Sequence, residues 1–195
     1  MKSLWLAVTA VFLTFTAFGQ GQPKMVPVPP HSTMDLPNFS MHAPSGEGWR
    51  VTEPDENTAA IRFENRAMQA GITVEDGAMA NPVPNVKEKL DQLAQAIEKN
   101  FSQHGKLILS EHAVESRPGA QCLHQRIIIS SPELSAPGQP PGNMAVHALE
   151  CIYGPDHKGI AKFRYMYPTQ GSADPQKKLV EEFFAGITFK LPPAK

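Results

Sequence analysis

The chemistry-bearing side chains of this chain are seven histidines, two cysteines and a set of acids and bases that strand alternation could bring together. The histidines are His31, His42, His104, His112, His124, His147 and His157. No HxxxH or HExxH falls on an expected helix, and there is no CxxC, so the usual zinc-ligand spacings are missing. His124 and His147 with the two cysteines would make a soft ligand set only if both thiols were reduced. Met68, Met79, Met144 and Met166 are too scattered for a copper-binding methionine motif. Hydrolytic chemistry lacks a GxSxG elbow, and no spacing links a serine to a histidine and an acid. No metal, no cofactor and no catalytic residue is expected. The constellation that remains is a row. If Cys122 opposes Cys151, one sheet face carries Cys122, His124, Arg126 and Ile128, and opposite them stand Cys151, Leu149, His147 and Ala145. A tight turn at Pro118-Gly119 adds Glu111 opposite Arg126. Glu111–Arg126–His147 would then cross three strands, as a ligand or partner face, a pH-sensitive contact, or a plain cross-strand charge pair.

The elements that must position this row form a meander: Lys106–Ser116, Gln121–Ser130, Met144–Tyr153 and Gly159–Tyr167. Arg117-Pro118-Gly119-Ala120 is a turn, because proline presets φ at its second position and glycine permits positive φ at its third. Pro132–Gly142 is a long proline-rich loop, and with Pro82–Asn85 it is a binding loop only by the general rule that loops carry function. With Cys122 opposite Cys151, Ser130 faces Asn143, Ile127 faces Val146 and Leu123 faces Ile152, and the loop midpoint falls near Ala136-Pro137. Directly opposed residues lie within disulfide reach. A bridge closing about 30 residues contributes on the order of 3 kcal/mol in the unfolded-state model. A redox-active pair would need a CxxC or a helix start after a cysteine to lower a thiol pKa, and neither occurs.

Before the meander, Phe39–Pro44, Trp49–Glu53, Ala59–Phe63 and Gln69–Glu75 read as short antiparallel strands. Val86, Leu90, Leu93, Ile97 and Phe101 make one apolar helical stripe, with Asn85 and Glu88 as a capping box and Gly105 as the stop. After the meander, Asp174-Pro175 reads as the N-cap and first turn of a second helix. Leu179, Val180, Phe183 and Phe184 form its apolar face, and Ile187–Leu191 returns as a last strand.

Residues 1–19 have the layout of a secretory signal peptide: Lys2, the apolar run Leu4–Phe18, and small residues at Ala17 and Gly19. The run is shorter than a comfortable bilayer span. Residues 20–37 read as a proline-rich linker, 38–191 as a single α+β domain, and 192–195 as a C-terminal tail. With Lys2 removed, 17 basic and 19 acidic side chains remain, without basic clusters, which argues against nucleic acid as a partner.

The entry Phe39…Pro44…Gly48-Trp49-Arg50-Val51 is followed by short strands, an amphipathic helix and a long meander. The chain closes as Phe183-Phe184-Ala185-Gly186-Ile187-Thr188-Phe189. Over residues 38–191 this pattern resembles the PsbP-like fold. The resemblance implies an antiparallel β-sheet covered by helices, an α/β/α sandwich, and non-catalytic roles in binding or assembly. The proline-rich loop and the cysteine pair depart from that pattern, and no functional residue is carried over. The reading is an exported, periplasmic or extracellular binding or scaffold protein, not an enzyme, with a protein partner in the envelope and no stable membrane span after cleavage. Its alternative is a small-ligand or metal-binding protein using the His124/Arg126/His147 face.

Overall fold

The computed structural model describes residues 24–52 and 60–190. The expected signal peptide at 1–19 and the tail at 192–195 lie outside the described residues. Among the described residues there are eleven strands and two α-helices: β1 (Met25–Pro27), β2 (Thr33–Asp35), β3 (Phe39–His42), β4 (Arg50–Thr52), β5 (Ala60–Asn65), β6 (Ala70–Ala78), α1 (Val86–Ser102), β7 (Lys106–Arg117), β8 (Ala120–Ser131), β9 (Gly142–Tyr153), β10 (Gly159–Thr169), α2 (Lys177–Ala185) and β11 (Thr188–Phe189). Eight strands form an antiparallel sheet in the order β1-β4-β5-β6-β10-β9-β8-β7, and β11-β3-β2 form a second, small sheet. Among the described residues no helix is long and apolar enough to cross a membrane.

The meander follows its sequence signals. Pro118-Gly119 closes the β7–β8 hairpin with Arg117 opposite Ala120, and Gly119 takes φ of 80°, which proline at the preceding position and glycine here allow. Cys122 pairs with Cys151, Ser130 with Asn143 and Ile127 with Val146. One expected pair fails: Leu123 lies opposite Glu150, as a constant register requires, and Ile152 lies opposite Gln121. Cys122 and Cys151 form a disulfide with Cα atoms 4.0 Å apart.

α1 begins on the capping box. Asn85 Oδ1 accepts from the Glu88 amide at 3.2 Å, and Asn85 Nδ2 donates to Glu88 Oε2 at 3.2 Å. Its buried stripe is Val86, Leu90, Ala94 and Ile97, with Leu93 and Phe101 partly buried. It packs on Leu123, Ile127, Ile129, Val146, Ala148 and Ile152. Each such aliphatic side chain contributes roughly 1.5–3 kcal/mol by leaving water. Gly105 then lets the chain pass close under β8, since a Cβ there would stand 2.6 Å from the Ser130 carbonyl oxygen.

The opposite face of the sheet is aromatic. Phe39, Trp49, Phe63, Phe163, Tyr165 and Phe183 are all buried there, with Val180, Phe184 and Phe189. Phe39 meets Phe163 edge-on at 5.1 Å, and Trp49 meets Tyr165 edge-on at 5.8 Å.

The chain is therefore α+β, but not the expected helix-covered α/β/α sandwich. A helix about 10 Å wide covers only two or three strands spaced about 4.8 Å apart, so α1 covers the β7–β9 part of its face. The other face is covered by α2 together with β2, β3 and β11. Within the linker expected over 20–37, residues 20–23 lie outside the described residues and two short segments of the rest are strands. Met25–Pro27 pairs with Arg50–Thr52 in the large sheet, and Thr33–Asp35 pairs with β3. These strands are three residues long and bounded by prolines, too short for a hydrophobic period to register.

Candidate functional site

The row expected from the sequence is present: Glu111 pairs with Arg126, and Arg126 with His147. It continues further. His147 pairs with Tyr165, Tyr165 with Ile72, Ile72 with Phe63, Phe63 with Val51 and Val51 with Val26. One line of side chains thus crosses all eight strands, charged at the β7 edge and apolar towards β1.

Two groups complete the charged end. The segment between β10 and α2 brings Asp174 over the row. Asp174 Oδ2 lies 2.9 Å from Arg126 Nε and 3.3 Å from His147 Nε2. Neither is a hydrogen bond, and the second is an ion pair only when His147 is protonated. Tyr167 on β10 donates its hydroxyl to Asp174 Oδ1, and that hydroxyl lies 3.0 Å from His147 Nε2. Arg126 also reaches Glu111 Oε1 at 3.2 Å from Nη1 and the Ser172 carbonyl at 3.1 Å from Nη2. Next to this network, Arg117 Nη1 donates to the Phe184 carbonyl at 2.6 Å, at the C-terminal end of α2. Tyr165 donates to Gln176 Oε1 at 3.2 Å, at its start.

Burial sets the electrostatics. It pushes the His147 pKa down to about 4, against the opposing pull of the Asp174 carboxylate. Burial likewise lowers His124, while Glu115 pulls it back up. Burial raises the Tyr167 hydroxyl, and its bond to Asp174 raises it further. With the Tyr167 proton donated to Asp174, a neutral His147 protonated at Nε2 donates to the Tyr167 oxygen.

His124 stands apart from this network. Its ring lies 6.2 Å from the His147 ring and edge-on to Phe184 at 5.4 Å, with Nε2 buried and without a hydrogen-bond partner. The four face residues Glu111, His124, Arg126 and His147 are thus gathered in one place, but the polar contacts of Glu111, Arg126 and His147 close on each other and on the β10–α2 segment. Among the described residues no group of three or more His, Cys, Asp or Glu side chains could hold a metal ion. Cys122 and Cys151 have no free thiol.

Asp174 and Tyr167 are the residues that sequence reading missed. Asp174 before Pro175 reads as a helix N-cap, yet α2 starts at Lys177 on Gln176, which makes no side-chain cap, and the Asp174 carboxylate is spent on the sheet. Tyr167 carries a usable signal: two positions beyond Tyr165, it falls on the same face as the row.

A separate concavity of about 530 Å³ opens at the turn between β9 and β10. Asn38, Asp76, Tyr153, Asp156 and Lys158 line it. Asp76 is held there by Asn38 Nδ2 at 2.8 Å and by the Tyr153 hydroxyl at 2.5 Å. The expected loop Pro132–Gly142 contains a 3-10 turn over Pro132–Leu134, capped by Ser131.

No protein-family model matches the chain. A search of curated proteins finds no match either. Among solved structures, the chain is similar to the solution structure of cyanobacterial PsbP (CyanoP) from Synechocystis sp. PCC 6803, with a TM-score of 0.47 and 13% sequence identity, over 90% of this chain and 98% of that one.

Proposed function

We propose that this is an exported, non-catalytic binding or scaffold protein of the cell envelope or periplasm. The observation that carries the reading is how the polar cluster is used. Asp174, Arg126, His147 and Tyr167 contact one another and tie α2 to the sheet, and among these four there is no nucleophile beside a base. The Cys122–Cys151 bridge favours an oxidising compartment over the cytosol, and the signal-like residues 1–19 supply a route there.

The test is fractionation followed by intact-mass measurement with and without a thiol-alkylating reagent. The expected product is extracytoplasmic, lacks residues 1–19 and takes up no label before reduction. A full-length, cytosolic, doubly labelled product would contradict export. Binding is checked separately: a defined envelope partner should be retained when His124 and His147 are both replaced by alanine.

A second reading, a small-ligand or metal site at the His124/Arg126/His147 face, draws on the unpartnered His124 Nε2. A stoichiometric metal that survives dialysis of the native protein and is lost in the His124→Ala, His147→Ala variant would favour it over the first.

A further inference from the structure

β7 is the last strand of the large sheet, twelve residues long, and among the described residues it pairs only with β8. The opposite edge strand, β1, has three residues and ends on Pro27, which blunts it. The disulfide fixes which backbone groups of β7 are free. Cys122 and Cys151 stand directly opposite with Cα atoms 4.0 Å apart. That short spacing belongs to a non-hydrogen-bonded pair. The backbone N–H and C=O of Cys122 therefore point away from β9, towards its β7 partner Glu115. By alternation, Leu109, Glu111, Ala113, Glu115 and Arg117 turn their backbone groups to β8. Ser110, His112, Val114 and Ser116 turn theirs outward.

A strand added at this edge would hydrogen-bond to those four residues. Its side chains would come closest to β7 at the intervening positions, Glu111, Ala113 and Glu115. The two glutamates are exposed, with 59% and 43% of their side-chain surface accessible, and Glu115 also accepts from Arg117 Nε at 2.7 Å, a guanidinium shared with the Phe184 carbonyl at 2.6 Å. Arg126 contacts Glu111, but it is shared with Asp174 at 2.9 Å, so two carboxylates face one guanidinium. Ile108, 41% exposed and sitting at the bulge that starts the strand, extends the surface with an apolar side chain.

A second copy of the chain complements this edge poorly. Antiparallel self-pairing about a two-fold axis centred on Glu111 or Ala113 brings Glu111 opposite Glu111 or Glu115, and when centred on His112 it sets Glu115 opposite Leu109. Like charges directly opposed are destabilising. When centred on Val114 it sets Glu111 opposite Arg117, but that guanidinium is already held by Glu115 at 2.7 Å and by the Phe184 carbonyl at 2.6 Å.

From this geometry we infer that the β7 edge binds an extended partner segment by antiparallel strand addition, with two basic side chains four residues apart flanking a small apolar one, opposite Glu115, Ala113 and Glu111. The inference rests on the binding-protein reading and names the class of partner. Main-chain bonds supply affinity and the alternate side chains supply specificity.

The test uses the mature protein and two capped heptapeptides, TKTVTKT and TETVTET. Amide exchange followed by NMR should slow at Ser110, His112, Val114 and Ser116 with the lysine peptide. The glutamate peptide should bind about tenfold more weakly or worse. His112→Pro should abolish the protection while the protein stays folded, because proline is tolerated on an edge strand where the N–H faces solvent. A Glu111→Gln, Glu115→Gln variant, which keeps every backbone donor, should weaken the lysine peptide about fivefold. Equal binding of both peptides, protection at other amides, or binding unchanged in either variant would overturn the proposal. So would protection of these four amides by self-association without peptide. If instead a defined envelope partner binds His112→Pro unchanged, the edge is excluded and the binding-protein reading stands.

Discussion

The two faces of the β8–β9 ladder come from the same residues taken alternately, yet they are built differently. On the α1 face, Leu123, Ile127, Ile129, Val146 and Ala148 bury aliphatic surface against one helix close in sequence. Two buried polar residues share this face: the Gln125 amide donates to the Ala94 carbonyl at 3.2 Å, and Glu150 Oε1 accepts from Arg164 Nη2 at 3.1 Å. On the α2 face the same strands present Cys122, His124, Arg126 and His147. Their partners, Tyr167, Asp174 and Phe184, come from the far end of the chain. Aliphatic packing is non-directional and tolerates adjustment, whereas a buried carboxylate, guanidinium and imidazole must find each other or bear a desolvation cost. The first face holds the sheet together. The second fastens α2 to it at a defined position.

The contrast can be broken most strongly on the aliphatic side. Leu90 is fully buried in α1, so Leu90→Ala should lower unfolding stability by about 3–4 kcal/mol in denaturant titration and leave the shape of the stability–pH curve unchanged. Asp174→Ala leaves Arg126 with Glu111 and the Ser172 carbonyl and removes the acceptor of Tyr167. It should cost about 3 kcal/mol by the same titration, with the loss concentrated at α2. Tyr167→Phe deletes one hydroxyl and should cost about 1 kcal/mol.

The pH dependence sharpens the comparison further. The His147 pKa is depressed to about 4 in the folded protein, below its ordinary value of 6.5. Its contribution is therefore fully present above about 6.5 and is lost as pH falls towards 4, because the unfolded chain takes up the proton first. Melting curves across that window should show stability falling with acidification. His147→Gln should flatten the slope, and Leu90→Ala should preserve it.

Much of the α1 face was legible in the sequence, because a 3.6-residue apolar period, a capping box and strand alternation are local signals. The β8–β9 register was legible too, since two cysteines and a turn over-determine it. The charged row was readable as far as Glu111–Arg126–His147. Its completion was not. Nothing local says that Asp174 reaches back to β8 and β9 when Asp-Pro is also an ordinary helix start. The second sheet was hidden for a similar reason. Met25–Pro27 and Thr33–Asp35 are held by long-range pairing and carry no period of their own.

Residue-level hydrogen exchange on Asp174→Ala, beside the native protein, tests most directly whether the polar cluster is a fastening for α2. The account predicts that amides of Val180 to Ala185 lose protection while those of Leu90 to Ile97 in α1 keep theirs. Unchanged protection in α2, or an equal loss in both helices, would contradict it.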